Sequence, residues 1–538
     1  MLKLTDIRLT ERPEDAGLRK VAADILSVPE AAIKDLQILK LSVDARRKPD
    51  VRFVYSLLVD ADNEKALLAD FPVNVSKYDP PEQYMFPSHD RAGFNIPPVI
   101  TGAGPAGLFS ALCLAESGVK CIVLERGAPI EQRIIDVDRF WRYGDLDVSS
   151  NVLFGEGGAG TFSDGKLTTG LNDKRIRYVL RRLVEFGAPE DILYLSKPHI
   201  GTDKLRYVIR SMREHLTELG CDVRFGHKLS DILISDGTIK GIAVETAERN
   251  YKMKTGALLI APGNSARDTF EMLLKRGIKL IPKDFSVGVR IEHLQQDIDE
   301  AQYGRETGIP GRILPASDYK MVAHLDNGRS VYTFCVCPGG QVVAAASEPG
   351  GVVTNGMSQY KRGEINCNGA LLVTVSPDDF GHDPFDGIRF QRKLESAAYI
   401  AGGGNYCAPA QYVGDFLNKR ASVRSESNKI TPSYLPGVKY CNLWDVLPEF
   451  VCKAISSALP EFAKRVSGFA GANAVLTAVE SRSSSSVRIE RDDYETTGIR
   501  GIFPCGEGSG YAGGIMSAAV DGIKAAEHMI NGRRKGGS

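Results

Sequence analysis

The chain has 538 residues, 43% of them hydrophobic, and carries 67 basic against 67 acidic side chains. That length can bury a large core and suggests three domains, while the balanced charge gives no electrostatic footprint for nucleic acid or a membrane surface. The start, MLKLTDIRLTERPED, is charged where a signal peptide needs an apolar core, and no uncharged apolar run approaches the ~18 residues of a membrane span, so a cytoplasmic protein is expected.

In chain order, Leu2 to Leu9 reads as a strand and Glu14 to Leu26 as a helix, with a second helix starting near Pro29. Ile33 to Val43 and Val51 to Val59 read as further strands. This predicts a small α+β module of ferredoxin-like type over residues 1–90. Arg46, Arg47, Lys48 and Arg52 make a basic turn in it, read as a solvated hairpin rather than an RNA contact. PPEQYMFPSHDRAGFNIPP, rich in proline and polar residues, is the linker that follows.

Pro97 to Arg126 reads PPVITGAGPAGLFSALCLAESGVKCIVLER: an apolar strand, three glycines, a helix and a second apolar strand stopping on an acid. That is the pattern of a dinucleotide-binding βαβ unit, with Gly102, Ala103, Gly104, Pro105, Ala106 and Gly107 as the phosphate turn. Gly102 allows the sharp turn, Gly104 leaves no side chain between backbone and pyrophosphate, and Gly107 lets helix and sheet pack closely. The helix buries Leu108, Phe109, Leu112 and Ala115, ends at Gly118 and aims its N-terminus at a phosphate. Glu125, at the end of the second strand and followed by Arg126, is placed to accept from ribose hydroxyls and to disfavour a 2′-phosphate.

Next comes FGEGGAGTFSDGKL, residues 154–167. Gly157 and Gly158 allow backbone to lie flat against a ring or an anion, and Thr161, Ser163 and Lys166 add hydroxyls and a cation. Asp222 to Phe225, Asp231 to Ser235, Ile239 to Thr246 and Tyr251 to Lys254 read as strands leading to LLIAPG; this resembles the meander of flavoproteins, a likeness that implies Ala261, Pro262 and Gly263 beside the cofactor. From about Leu280 to Gly471 the pattern leaves the cofactor fold: GVRIEH, a helix from Leu294 to Tyr303, several strands, and helices near Leu447 to Leu459 and Phe462 to Ala470. This is read as an inserted domain roofing the site. The chain then closes on a short strand, Gly506, Glu507, the pair Gly513 and Gly514, and a small-residue helix from Ile515.

The ten cysteines lack paired spacing and fit a reducing compartment. Cys335 and Cys337 are the close pair, on one face of an alternating strand, and a packing role is favoured over redox chemistry. The eight histidines show no metal-ligand spacing, so no metal site is proposed.

The closing segment resembles that of two-dinucleotide-fold flavoproteins, in which a Gly-Asp and a helix N-terminus hold the ribityl chain and pyrophosphate. Glu507 stands where that group usually has aspartate, one methylene longer. The resemblance implies FAD as cofactor. GAGPAGLFSALCLAESG, FGEGGAGTFSDGKL, APGNSARDTF, VGVRIEH, FCVCPGGQVV, GGGNYCAPAQYVGDF and GEGSGYAGGIMSAAVDG together resemble a bacterial family of FAD-utilising dehydrogenases, or NAD(P)/FAD-dependent oxidoreductases, over nearly the whole chain.

The implied architecture is an α/β, Rossmann-like FAD-binding domain (91–280 and 472–538) holding an inserted α+β substrate domain (281–471), behind the N-terminal module. No second glycine fingerprint has a following strand and acid, so one FAD is expected. It would exchange a hydride with a small-molecule substrate under the insertion or with a transient NAD(P)H. Arg290 is the candidate carboxylate clamp and Glu292 or His293 the proton acceptor, with Lys166, Asn355 and Tyr406 as further polar groups at the flavin. A flavin-dependent RNA-modifying enzyme and a non-catalytic flavin sensor are the alternatives.

Overall fold

The computed structural model describes residues 1–69, 74–87, 94–304 and 314–535, so part of the predicted linker lies outside the described residues. The N-terminal module runs β1 (Leu2–Leu9), α1 (Asp15–Leu26), β2 (Ile33–Asp44), β3 (Arg52–Ala61), α2 (Glu64–Ala69), β4 (Val75–Lys77). Its sheet order is β2-β3-β1-β4, antiparallel throughout, which is the expected ferredoxin-like arrangement. Leu18, Ala22 and Leu26 fall on one face of α1 and meet Leu2, Leu4, Phe53 and Leu57 of the sheet. The second helix expected near Pro29 is a single 3₁₀ turn, Glu30–Ala32, because the chain passes at once into β2. Leu41 of β2 pairs with the backbone of Tyr194 and Ser196, fixing the module to the next domain. In the basic turn Arg46 is paired with Asp44 and Arg52 with Asp50.

The cofactor domain contains β5 (Val99–Thr101), α3 (Pro105–Glu116), β6 (Ile122–Glu125), α4 (Ile130–Tyr143), α5 (Arg175–Glu185), α6 (Thr202–Glu218) and β7 (Asp222–Phe225). The meander β8 (Lys228–Ser235), β9 (Thr238–Glu245), β10 (Asn250–Lys254) follows, then β11 (Leu258–Ile260) and α7 (Arg267–Lys275). The helix α3 is buried from Ala106 to Ala115, on all sides rather than along the single stripe expected. Its second partner is the C-terminal helix, whose Gly522 lets Ser110 Oγ donate to both Ala106 O and Gly522 O.

The inserted domain begins after β12 (Leu280–Pro282), with β13 (Phe285–Leu294), α8 (Gln295–Tyr303), β14 (Val322–His324), β15 (Ser330–Cys337), β16 (Gly340–Ala344), β17 (Thr354–Ser358) and β18 (Asn366–Val375). It continues through α9 (Pro377–Phe380), α10 (Asp386–Gly402), β19 (Ala408–Tyr412), α11 (Val413–Leu417), β20 (Val438–Tyr440), α12 (Glu449–Arg465) and β21 (Val475–Glu480). The chain returns through β22 (Val487–Ile489), β23 (Arg491–Asp492), β24 (Glu495–Thr496) and β25 (Ile502–Pro504) to α13 (Ile515–Lys535).

Seven strands in the order β14-β15-β18-β13-β21-β19-β20 form the insertion's sheet, with β13 buried along nearly its whole length. Two expectations are corrected here. The two helices predicted over 447–470 are one, α12, running through Pro460 because Ile455, Leu459 and Phe462 share one buried face across it. The insertion also extends past residue 471: β21 pairs with β13 and β19, so the chain leaves this sheet only after Glu480. No helix among the described residues is long and apolar enough to cross a membrane.

Candidate functional site

The five parallel strands lie in the order β25-β11-β5-β6-β7, so chain order reverses between β5 and β11. In open α/β sheets the crevice beyond the carboxyl ends at such a reversal takes the ligand. A cleft of about 820 Å³ lies there, walled on its far side by the inserted domain. Its floor is the ends of four strands: Gly102 and Gly104, Glu125 and Arg126, Ala261 to Asn264, and Gly506 with Glu507.

The turn after β5 fits only glycine at two points. A Cβ on Gly102 would lie 2.1 Å from Ala261 O, and one on Gly107 would lie 1.9 Å from Gly102 O. Gly104, Pro105 and Ala106 line the cleft, while Ala103 and Gly107 lie beneath the surface. Glu125 is knitted to the loops: Oε2 accepts from Ala103 N at 2.8 Å, and Oε1 from Gly127 N at 2.9 Å and Gly155 N at 3.0 Å. Its first task is to join three loops, which leaves lone-pair capacity mainly on Oε2 for a ribose. Arg126 is held in a fork by Asp268 and lies 4.5 Å from the centroid of Phe154.

The glycine-rich loop 154–167 crosses the βαβ turn, with Gly158 against Gly104. Gly158, Ser163 and Lys166 line the cleft; Gly157 and Thr161 sit behind. Arg133, fully buried on α4, shapes this loop by donating to the carbonyls of Asn151, Val152, Gly155 and Glu156 at 2.6–3.3 Å. Sequence reasoning missed Arg133, although it lies on the apolar stripe of Ile130 and Val137 where a charge needs an explanation. At the opposite edge Gly513, Gly514 and Ile515 open α13 toward the cleft, with no protein atom within 4 Å of where a Cβ of either glycine would project. The N-termini of α3 and α13 thus both face the same space, and each favours an anion.

The wall contributed by the insertion holds Cys335, Asn355, Glu480 and Arg482. Glu480 was not foreseen; it ends β21, a strand otherwise apolar except for Thr477. Arg290 stands one layer behind the wall. Its guanidinium donates to Cys335 O at 3.0 Å and to Asn368, and lies 3.7 Å from Glu480 Oε1. The expectation that Glu292 and His293 face the flavin is not met. Glu292 accepts from Ser433 and Asn366, and His293 bonds Phe469 O at 2.7 Å among aromatic rings, where burial lowers its pKa to about 4. Tyr406 packs against Phe140 and Tyr399, away from the cleft. The alternation of β13 puts His293 on the opposite face from Arg290, and length along the strand carries Glu292 past the cleft.

Two carboxyls in the walls are shifted upward. Burial raises Glu480 to about 7 against the pull of Arg290, since one of its oxygens has no hydrogen-bond partner. Desolvation likewise raises Glu507, opposed by Lys283 and by Asn264 Nδ2, which donates to it at 2.8 Å. A folded-state pKa above the unfolded value contributes stability below about 4.5 that is lost as pH rises through about 7. The Glu480→Gln apoprotein, neutral at every pH, is therefore expected to be more stable than the wild type at pH 8 by about 2–3 kcal/mol. At pH 4 the two should nearly coincide, and denaturant unfolding at both pH values checks this. An equal difference at both pH values would mean that Glu480 does not titrate in this range.

A parallel sheet with its reversal point open, two helix N-termini converging on it and a glycine loop laid across them define a dinucleotide-binding flavoprotein. The sequence matches a family described as "FAD binding domain" over residues 96–133 and one described as "FAD-dependent protein, C-terminal domain-like" over 284–483; residues 1–60 match a domain of unknown function. A Clostridium beijerinckii protein described as uncharacterized is 42% identical over 98% of both chains. The chain belongs to the same family, one of FAD-dependent proteins, and FAD is its cofactor.

Among solved structures, the chain is similar to a geranylgeranyl bacteriochlorophyll reductase-like protein from Thermoplasma acidophilum (11% identity, 82% of this chain and 79% of that one, TM-score 0.37). It is also similar to a flavoprotein/dehydrogenase from Cytophaga hutchinsonii (11% identity, 81% and 79%, TM-score 0.33).

Proposed function

We propose that this FAD-dependent enzyme is a dehydrogenase that exchanges a hydride with a small-molecule substrate between the cofactor domain and the inserted sheet. FAD supplies the hydride chemistry when bound. The pyrophosphate is assigned to Gly102, Gly104, Pro105, Ala106 and the N-termini of α3 and α13, with Gly158 and Ser163 closing over it and Gly157 and Thr161 supporting that loop from behind. The ribose is assigned to the remaining lone pair of Glu125. The ring is assigned to the space between Ala261–Gly263, Glu507 and the wall of Lys166, Asn355 and Cys335.

The observation that carries the reading is one shared cleft whose walls present Glu480 and Glu507, both held near neutrality by burial. A carboxyl that titrates near 7 can release or take a proton as a hydride leaves or arrives, which an ordinary surface glutamate does poorly at that pH. Arg290 acts as a positioning residue through Cys335 O and Glu480 rather than as the substrate clamp. The RNA reading gains no support, because Arg46 and Arg52 are each neutralised by an adjacent aspartate.

The test is anaerobic mixing of the yellow protein with NADH, NADPH and a panel of metabolites, following absorbance at about 450 nm. Bleaching by one compound, slowed in Glu480→Gln, is the expected result. An oxidised flavin that dithionite bleaches and none of these compounds touches would favour the sensor instead.

A further inference from the structure

We propose that Cys335 and Cys337 form a redox-active dithiol that exchanges an electron pair with the FAD of the same cleft. The proposal rests on that cofactor placement but goes beyond the hydride reaction. A regular strand would set the two side chains on one face about two residues apart. Here β15 slips register against β18 between Phe334 and Cys337, and Cys335 takes φ +42°, a left-handed conformation rarely held by a residue with a side chain. Such strain at a cleft wall marks a side chain that has been re-aimed.

The bulge puts half-buried Cys335 into the lining of the cleft and fully buried Cys337 directly behind it. The Cys337 thiol donates to Cys335 O at 3.4 Å, which holds it against the residue that carries the cleft-lining thiol. Two cations frame the pair. Lys166 Nζ donates to the carbonyl of the intervening Val336, and Arg290 Nη2 lies 3.7 Å from Cys337 Sγ. The acids facing them are Asp164, claimed by Arg362 in a two-point pair, and Glu480 and Glu507, which burial keeps near neutral; the Tyr319 phenol is held protonated by burial. The neighbouring Cys337 thiol, then Lys166 and Arg290, lowers the Cys335 thiol below the ordinary range, while Cys337 is held above it. One accessible thiolate backed by one protonated partner is the division of labour that thiol–disulfide chemistry uses.

The second close pair behaves differently. Cys121 and Cys221 have sulfurs 3.5 Å apart but lie at the start of β6 and β7, at the far end of the sheet from the cleft. In the proposed step the Cys335 thiolate and the Cys337 thiol lose one S–H bond and form one S–S bond. The electron pair and the Cys337 proton pass to FAD, giving its reduced anion. The reverse step regenerates the dithiol at the expense of reduced flavin.

The test is an anaerobic dithionite titration of diamide-oxidised holoprotein, with alkylation and peptide mass spectrometry at each point. The wild type should take up about two electrons into the Cys335–Cys337 disulfide before the flavin bleaches. Long-wavelength absorbance from thiolate beside oxidised flavin should appear at that stage. Cys335→Ser and Cys337→Ser should each need about two electrons fewer; Cys337→Ser should retain the long-wavelength band and Cys335→Ser should lose it. Bleaching from the first electrons, with Cys335 and Cys337 alkylatable throughout, overturns the proposal, and this wild-type arm decides even if neither variant folds. A colourless protein marks failure of the cofactor reading instead. In that case iodoacetamide labelling of the apoprotein decides: Cys335 should be modified first, and labelling no faster than at Cys121 or Cys221 refutes its activation.

Discussion

Replacing Glu395 with alanine is expected to destabilise the protein by about 3–5 kcal/mol, the range for stripping one partner from a buried charge cluster. Glu395, on α10, is 1% exposed and accepts from Arg267 Nη1 and Nη2 at 3.0 and 2.9 Å, and from Arg482 Nε and Nη2 at 2.9 and 2.8 Å. Arg267 belongs to the cofactor domain and Arg482 follows β21, so a single carboxylate joins the two halves of the cleft. Without it two guanidiniums remain in a space closed to water, with Glu348 on the rim as the acid left to share. The arginines hold the Glu395 carboxyl far below its ordinary range. A depressed folded-state pKa contributes stability above about 4.5 that is lost as pH falls below it, so the cost of Glu395→Ala should be full at pH 7 and shrink in acid. Urea unfolding of the apoprotein at pH 7 and pH 4 measures both. A loss under about 1 kcal/mol at pH 7 would show that water reaches the cluster.

Some of this was legible from residue order alone. The β5–α3–β6 unit is encoded locally: glycines at fixed offsets, an apolar helix and an acid at the second strand's end, so its geometry needs no knowledge of distant residues. The cleft's second wall is not local. Arg290, Glu292 and His293 stand out as the polar run of GVRIEH, able to clamp a carboxylate and take a proton. Yet which of them approaches the flavin depends on how β13 pairs with β18 and β21. That pairing turns Arg290 toward Glu480, nearly two hundred residues away, with a register shift between Gly288 and Val289 that no periodicity announces. Cys335 and Cys337 stand out as a pair, but a regular strand gives no reason for one of them to face the cleft; the bulge against β18 and the positive φ of Cys335 do that. The domain boundary slipped for the same reason. Gly471 looks like the end of a unit, but the strand after it hydrogen-bonds back into the inserted sheet.

Gly107→Ala is expected to abolish stoichiometric FAD binding while leaving most of the fold intact. The added methyl would sit 1.9 Å from Gly102 O and 3.0 Å from Gly102 C, both backbone atoms. The Gly102 carbonyl cannot retreat, because the turn is pinned on its other sides: Gly102 N donates to Leu124 O at 2.8 Å, and the Gly102 α-carbon is pressed against Ala261 O. The helix must therefore give way, withdrawing from the sheet and lifting its N-terminus off the place assigned to the pyrophosphate. Overpacking of this kind costs about 1–3 kcal/mol or more in stability. Loss of the aligned amides is worth about 3 kcal/mol in binding, or roughly a hundredfold in Kd. Gly118→Ala separates the two effects. That residue has φ +84° and no protein atom within 4 Å of where an added methyl would project, so alanine there strains the backbone by about 1 kcal/mol without touching the turn. The Gly118 variant should purify yellow with slightly lowered stability and the Gly107 variant nearly colourless, with flavin-to-protein absorbance and titration of added FAD as the measurements. A Gly107→Ala protein that retains a full complement of FAD would mean that the helix N-terminus is not what holds the phosphates.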